Sequence, residues 1–133
     1  MYVEMNKRFP CPCCGYLVFS REPGSCQPCP ICLWQDDLAQ LRFPLMPNVT
    51  NQVSLEKAQK NFIHVGAAEK KHTGMGRKPT DMDVREEDWR LLDLQKDNVE
   101  KPQRGINYAD SYPIYDTTVL YYWRETYWRK LNS

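Results

Sequence analysis

The sequence has little of what catalysis, membrane insertion or secretion requires. Only two of its 133 residues are histidine, and no motif combines a nucleophile with a general base. No apolar run approaches the roughly 18 residues that span a bilayer. Residues 1–9 are too polar to form the apolar segment of a signal peptide. These absences predict a soluble, cytoplasmic protein that does not contact membranes and is not an enzyme.

An excess of charge of one sign is also lacking. The 18 Lys and Arg residues stand against 17 Asp and Glu residues, a formal net charge of +1. A protein that binds nucleic acid or an anionic membrane usually has a clear basic excess, so this balance disfavours both. With 41% hydrophobic and 26% charged residues, the composition is that of a folded chain. The length leaves room for one domain, or for one small core that carries a stapled appendage.

Cysteine is absent after residue 32, and all six cysteines lie within 22 residues. Cys11 and Cys14 form one C-x2-C pair, and Cys29 and Cys32 form a second, with 14 residues between the pairs. Two residues between thiolates let a tight turn direct both sulfurs at one ion, and Gly15 supplies the positive φ that such a turn often needs. In a reducing compartment clustered thiols favour metal over disulfides. The spacing therefore predicts one structural Zn²⁺ bound by these four cysteines.

A second ligand set is possible on spacing alone, because Cys26 and Cys29 also form a C-x2-C pair. Residues 29–32 repeat the Cys-Pro-x-Cys form of residues 11–14, which favours the first set. Cys13 and Cys26 are then spare thiols, either buried as small hydrophobic residues or inert at the surface. The alternative for them is an exchangeable ligand or a redox role. An ion closed by four thiolates has no position for water or substrate, so the metal is predicted to be structural.

The remaining pattern predicts an α+β fold. Residues 1–43 are expected to form a small zinc-ribbon-like knuckle unit with a strand over residues 16–19. Residues 44–133 are expected to supply about three helices and to pack with that unit as one compact domain. Asp36 and Asp37 are expected to form a solvent-facing turn or helix cap. The first helix is predicted to begin after Ser54 and to end at Gly66.

Two further helices are predicted in the second half of the chain. Thr80 and Asp83 have the spacing of a capping box, with Trp89 and Leu92 as the buried positions that follow. An aromatic-rich C-terminal helix is expected to begin at Asp116 or Thr117. Its inward side chains would be Leu120, Trp123, Tyr127 and Leu131. Tyr121, Tyr122 and Trp128 fall on other sides of that helix, so aromatic surface should remain exposed.

Charge is divided along the chain. Residues 81–100 contain eight acids and three bases, whereas residues 44–80 contain six bases and two acids. Such a division suits either an internal pairing or a charged interface, and aromatic residues and arginine dominate the energetics of interfaces. The residues predicted to contact a protein partner are Asp83, Glu86, Glu87, Trp123, Arg124 and Trp128.

Several stretches resemble the cysteine-rich CPCC family of small bacterial proteins. The matching stretches are residues 11–16, 29–37, 51–58 and 61–67, with a further similarity at residues 77–80. Proteins of this kind occur beside polymorphic toxins, so the resemblance implies an immunity role. The partner would then be a toxin domain, masked stoichiometrically.

The alternative function is that of a nucleic-acid-binding zinc ribbon. Residues 1–43 contain four bases and four acids, a balance that gives little attraction to phosphate. The sequence therefore favours a zinc-stabilised protein-binding module, with nucleic acid as the less favoured partner.

Overall fold

In the part of the chain that the structure describes, one small antiparallel sheet and two α-helices form, together with short 3-10 helices at Lys70–His72, Ala109–Ser111 and Thr117–Leu120. A computed structural model describes residues 8–129. In it, strands β1 (Phe9–Pro10) and β2 (Leu17–Phe19) pair with Phe9 opposite Phe19. Helices α1 (Leu38–Arg42) and α2 (Leu55–Val65) follow. Neither helix in this part of the chain has the length and apolar character that crossing a lipid bilayer demands.

Helix α2 forms where the sequence predicts it. The Ser54 side chain accepts a hydrogen bond of 3.1 Å from the Lys57 amide, which satisfies one of the unpaired N–H groups of the first turn. At the other end Gly66 adopts φ 76°, the left-handed conformation that ends many helices. Both ends are determined locally, and the prediction is confirmed.

Helix α1 is short, and from the sequence we predicted only a turn or a helix cap at Asp36 and Asp37. The Asp37 carboxylate accepts from the Gln40 amide at the start of α1 and from the Thr50 amide at 2.9 Å. Asp36 accepts three bonds, from the Gly24 amide and from the amide and hydroxyl of Ser25. Both carboxylates are buried, so the expectation that they face solvent is wrong. They fix the loops on either side of the helix instead.

The helix predicted after Thr80 does not form, and residues 80–104 contain turns and one isolated β-bridge, from Arg85 to Tyr16. The Thr80 amide does donate to the Asp83 carboxylate at 2.7 Å, as in a capping box, but Arg77 also binds that carboxylate. Beyond it, the Leu17 amide donates to the Val84 carbonyl at 2.8 Å, so the segment runs beside β2. Tertiary hydrogen bonds have displaced the local preference for helix.

The predicted C-terminal helix is also absent from the described residues. A single 3-10 turn, Thr117–Leu120, forms after Asp116, whose carboxylate accepts from the Thr118 amide at 3.0 Å. The described part of residues 44–133 therefore contains one α-helix, α2, and the whole described chain has two rather than about three. Leu131 lies outside the described residues.

The aromatic side chains of this C-terminal segment are more deeply buried than a helix would allow. Trp123 and Tyr127 are buried as predicted, but Tyr121 and Tyr122 are buried as well, with exposed fractions of 1% and 3%. An irregular backbone is not bound to a period of 3.6 residues, so consecutive side chains can enter the core. The expectation that Tyr121 and Tyr122 contribute exposed aromatic surface is wrong, while Trp128 is half-buried.

Arg42 of α1 forms a largely buried ion pair with Glu100 that sequence analysis missed. Arg42 donates to both carboxylate oxygens of Glu100, at 2.9 and 3.2 Å, and the two side chains are only 3% and 16% exposed. The guanidinium carbon lies 4.6 to 5.1 Å from the centroids of four aromatic rings, those of Phe43, Tyr108, Tyr112 and Trp128. This arrangement ties residues far apart in sequence to one cation.

Candidate metal centre

Four buried sulfur atoms lie together at the centre of the N-terminal segment. The Sγ atoms of Cys11, Cys14, Cys29 and Cys32 are all within 4.8 Å of one another. Cys11 Sγ lies 3.6 Å from Cys32 Sγ, and Cys14 Sγ lies 3.7 Å from Cys29 Sγ. Four sulfurs bound tetrahedrally at about 2.3 Å from one ion are about 3.8 Å apart. The group could therefore hold a metal ion with little rearrangement.

The first knuckle, residues 11–15, turns the Cys11 and Cys14 sulfurs toward the same point. The Gly15 amide donates to the Cys11 carbonyl, and the Cys11 amide donates to the Tyr16 carbonyl at 2.9 Å. Gly15 has φ 82°, and a β-carbon placed on it would lie 2.5 Å from the Trp89 ring. Glycine is thus required twice here, for the left-handed backbone and for the close approach of the indole.

Replacing Gly15 by alanine is expected to destabilise the protein more than the same change at Gly105. Gly105 has nearly the same φ, 84°, but no atom within 4 Å of its added β-carbon. The backbone strain alone costs about 1–2 kcal/mol, and the collision with Trp89 adds about 1–3 kcal/mol. Urea unfolding of the two variants measures the difference. Equal losses would show that the indole does not constrain this position.

The second knuckle, residues 29–33, repeats the backbone hydrogen bonds of the first. The Leu33 amide donates to the Cys29 carbonyl at 2.9 Å, and the Cys29 amide donates to the Trp34 carbonyl at 2.8 Å. Leu33 adopts φ 67° without being glycine. The two knuckles therefore present their cysteine pairs with the same backbone geometry.

Backbone amides also reach the sulfurs of the second knuckle. The Ile31 and Cys32 amides lie 3.4 and 3.5 Å from Cys29 Sγ, and the Trp34 amide lies 3.5 Å from Cys32 Sγ. Hydrogen bonds from the neighbouring thiols, that of Cys11 foremost, lower the pKa of Cys29, whereas burial raises the pKa of Cys11 and Cys32. Buried thiolates need a compensating positive charge, which a bound cation supplies.

The two remaining cysteines lie outside the group. Cys13 is fully buried, and burial raises the pKa of its thiol, which favours the neutral form. Cys26 is exposed, with φ 64°. Of the two ligand sets that spacing left open, the structure brings together the one that contains Cys32.

Side chains from distant segments cover the first knuckle. The Pro12 carbonyl accepts from Gln59 Nε2 and from Trp89 Nε1, each at 3.0 Å. The Cys14 carbonyl accepts from Arg85 Nε at 2.9 Å. Sequence analysis missed this role of residues 85–89, because nothing in a local pattern shows which loop will lie against a knuckle.

The second knuckle is covered by backbone amides of residues 68–77. The Pro30 carbonyl accepts from the Arg77 amide at 3.0 Å, and the Cys32 carbonyl accepts from the Ala68 amide at 2.8 Å. A β-carbon on Gly76 would lie 2.1 Å from the Ile31 carbonyl oxygen. These knuckle carbonyls are thus engaged by the protein itself.

Four of the six residues predicted to contact a partner lie at one open depression of about 650 Å³, here called the acidic depression. It is lined by Glu86, Glu87, Asp88, Trp123, Arg124, Glu125 and Thr126. Asp83 instead pairs with Arg77, and Trp128 lies over Arg42. The six partner contacts stay a prediction.

Within the acidic depression, Glu86 is bound by neighbours of the C-terminal segment. Arg124 donates to both of its carboxylate oxygens, at 2.6 and 3.0 Å, and Trp123 Nε1 donates to the same carboxylate. Burial acts to raise the pKa of Glu86, but the bonds from Arg124 and Trp123 outweigh it and hold the pKa below its usual value. Trp123 lines the depression although its side chain is only 5% exposed, so it forms part of the wall.

Replacing Glu86 by glutamine is expected to reduce the free energy of unfolding at neutral pH. It should also make that free energy change less as the pH is lowered. Because the folded-state pKa is lowered, the carboxylate contributes stability above the unfolded value of about 4.3 and loses it as pH falls through the folded value. Urea unfolding at pH 7 and at pH 3 measures the difference between the two proteins. A difference that stays constant across this range would contradict the assignment.

The sequence that contains the sulfur group matches a known protein family. The family described as Cysteine-rich CPCC matches residues 9–83, which is more than half of the chain. The match includes both knuckles and both α-helices, and it ends before the segment with the buried tyrosines and tryptophans. No curated protein matches the chain. The chain belongs to the cysteine-rich CPCC family.

Proposed function

We propose that this member of the cysteine-rich CPCC family is a zinc-stabilised protein-binding module of the cytoplasm, and that it is not an enzyme. The observation that carries the zinc assignment is the group of four buried sulfurs. Four thiolates are a usual donor set of structural zinc, and they leave no open position for water or substrate. The ion would hold the two knuckles together.

We propose further that the module is an immunity protein that masks a cognate bacterial toxin stoichiometrically. The role is the one that the family resemblance implies, and the surface charge supports it. Glu87, Asp88 and Glu125 are exposed at the acidic depression, and among the described residues no basic side chain forms an ion pair with them. A basic surface of the toxin would complement them and would be steered toward them.

The nucleic-acid alternative has less support. A ribbon that binds nucleic acid through its knuckle tips needs those tips available, and the Pro12, Cys14, Pro30 and Cys32 carbonyls here accept hydrogen bonds from the chain itself. At the acidic depression the exposed carboxylates of Glu87, Asp88 and Glu125 have no ion-pair partner among the described residues, and this face would repel phosphate.

The test is co-purification with the protein encoded by the adjacent gene. We expect a complex with one copy of each chain, and loss of the toxin's activity in that complex. Replacing Glu87 and Asp88 together by lysine should weaken binding at least tenfold, because repulsion replaces attraction. Asp110→Lys, an exposed change outside the depression, serves as the control and should have little effect.

Two results would contradict the proposal. One is failure to bind the neighbouring protein at any ratio. The other is tight binding of single-stranded nucleic acid with an affinity that falls steeply as salt rises, which would favour the alternative.

A further inference from the structure

A narrow apolar groove opens beside the first knuckle, with a volume of about 320 Å³. Its walls are formed by Phe62 and Ile63 of α2 and by Trp89 and Leu91. Ile63 is 59% exposed and Leu91 is 42% exposed, so these apolar side chains are left uncovered by the described residues. The groove is of a size to receive one large side chain, and it lies at the lower limit for small-molecule pockets.

The base of the groove has no unpaired amide or indole group. Gln59 Nε2 donates to the Pro12 carbonyl and to the Tyr122 hydroxyl oxygen, while Gln59 Oε1 accepts from the Leu92 amide at 2.9 Å. Trp89 Nε1 is also bonded, at 3.0 Å, to Pro12. An apolar occupant would therefore bury no unsatisfied polar group there, whereas a polar one would lose its own hydration.

A fixed positive charge lies at the same groove. The Arg85 guanidinium carbon lies 4.6 Å from the Tyr16 ring centroid and 5.0 Å from that of Trp89, and Arg85 Nε donates to the Cys14 carbonyl. Arg85 is exposed, yet no carboxylate within residues 8–129 forms an ion pair with it. Arginines that do form such a pair are Arg42, Arg77, Arg90 and Arg124.

Because the Arg85 side chain is already held by two rings and a hydrogen bond, little conformational entropy would be lost when it binds an anion. A carboxylate beside an apolar side chain would satisfy the cation and the groove together. Half-buried Trp89 and exposed Arg85 line this groove together, and tryptophan and arginine are enriched in interface hot spots.

We propose that the groove binds a segment of a protein partner in which a large apolar side chain neighbours a carboxylate. The apolar side chain fills the groove, and the carboxylate pairs with Arg85. The proposal rests on the proposed protein-binding function and names a second part of its contact surface. Residues 86–88 line the acidic depression, and Arg85, Trp89 and Leu91 line the groove, so one partner can cover both.

The test uses a peptide probe and the full, zinc-loaded chain. The peptide acetyl-Gly-Leu-Glu-Gly-amide is titrated into ¹⁵N-labelled protein, and chemical-shift changes are followed by NMR. We expect saturable changes in residues 59–63 and 85–91. A peptide with glutamine in place of its glutamate, and one with alanine in place of its leucine, should each bind at least fivefold more weakly.

Three variants locate the binding. Ile63→Gln, on the exposed side of α2, should reduce affinity for the leucine peptide at least fivefold. Arg85→Gln should abolish the preference for the glutamate peptide over the glutamine peptide. Ile114→Gln, which changes a side chain that is 81% exposed outside the groove, should change neither. Zinc content and circular dichroism show that each variant is folded.

Shift changes confined to other residues, or equal binding of the glutamate and glutamine peptides, would overturn the proposal. So would self-association of the free chain that Ile63→Gln abolishes, because the occupant would then be a second copy. If the neighbouring protein binds wild type and the groove variants equally, the groove proposal fails and the proposed function stands. If the peptides behave as expected but the neighbouring protein does not bind, the immunity role fails and the groove proposal stands.

Discussion

Replacing Cys29 by serine is expected to abolish metal binding and to unfold the N-terminal part of the protein. Structural zinc contributes about 10–16 kcal/mol in small peptide domains, and the net stability of a folded domain is only about 5–15 kcal/mol. Loss of the ion is therefore larger than, or comparable with, everything that keeps the domain folded. Cys11→Ser, Cys14→Ser and Cys32→Ser should have the same effect, and so should chelation of the wild-type protein.

The measurements are elemental analysis and X-ray absorption, followed by circular dichroism. Wild type should contain one zinc per chain, with four sulfur neighbours at about 2.3 Å. Cys26→Ser is the matched control, since Cys26 is exposed and outside the sulfur group, and it should retain both metal and fold. Cys13→Ala should also retain the metal. It should lose less stability than the ligand variants, and that loss would come from the cavity that the substitution leaves. Retention of the metal by Cys32→Ser with its loss in Cys26→Ser would show that the ligand set is wrong.

Replacing Arg42 by methionine is expected to lower the free energy of unfolding by about 3–5 kcal/mol, because it leaves the Glu100 carboxylate without a partner in a largely buried place. The two side chains are 3% and 16% exposed, so solvent cannot compensate for the lost charge. Arg42→Lys should recover only part of the loss, since an ammonium cannot donate to both carboxylate oxygens with the same geometry. Urea unfolding at pH 7 measures all three proteins.

The control for Arg42 is the double variant Arg42→Met with Glu100→Met. Removing both charges should be much less harmful than removing one, since no uncompensated buried carboxylate remains. Lys60→Met, which breaks an exposed pair with Glu56, should have little effect. If the single and double variants lose the same stability, the loss comes from packing against the four rings and not from the ion pair.

The parts of the structure that were predicted from sequence are those with local causes. Ser54 and Gly66 specify the ends of α2 through bonds and backbone conformations within a few residues. The spacing within each cysteine pair similarly encodes a tight turn, and Gly15 supplies the positive φ that the turn requires. The family relationship follows from the same short stretches.

Two of the predictions that failed concerned helices in segments whose tertiary partners were unknown. The capping contact of Thr80 with Asp83 does exist. However, Arg77 binds the same carboxylate, and the Leu17 amide of β2 donates to Val84, so this segment forms tertiary contacts in place of a helix. Tyr121 and Tyr122 were assigned to different sides of a helix, whereas the irregular chain directs both into the core. Local sequence does not report such competition, because the competing groups come from elsewhere in the chain.

The sequence by itself determined the paired cysteines, the ends of α2 and the family, because each depends on residues that are neighbours along the chain. Only the tertiary structure decided that Cys32 and not Cys26 completes the sulfur group, that Arg42 is surrounded by aromatic rings, and that residues 85–91 lie against the first knuckle. Each of these depends on contacts between residues tens of positions apart. These contacts form only when the chain has folded, so their contribution to the free energy of folding cannot be derived from any short stretch of sequence.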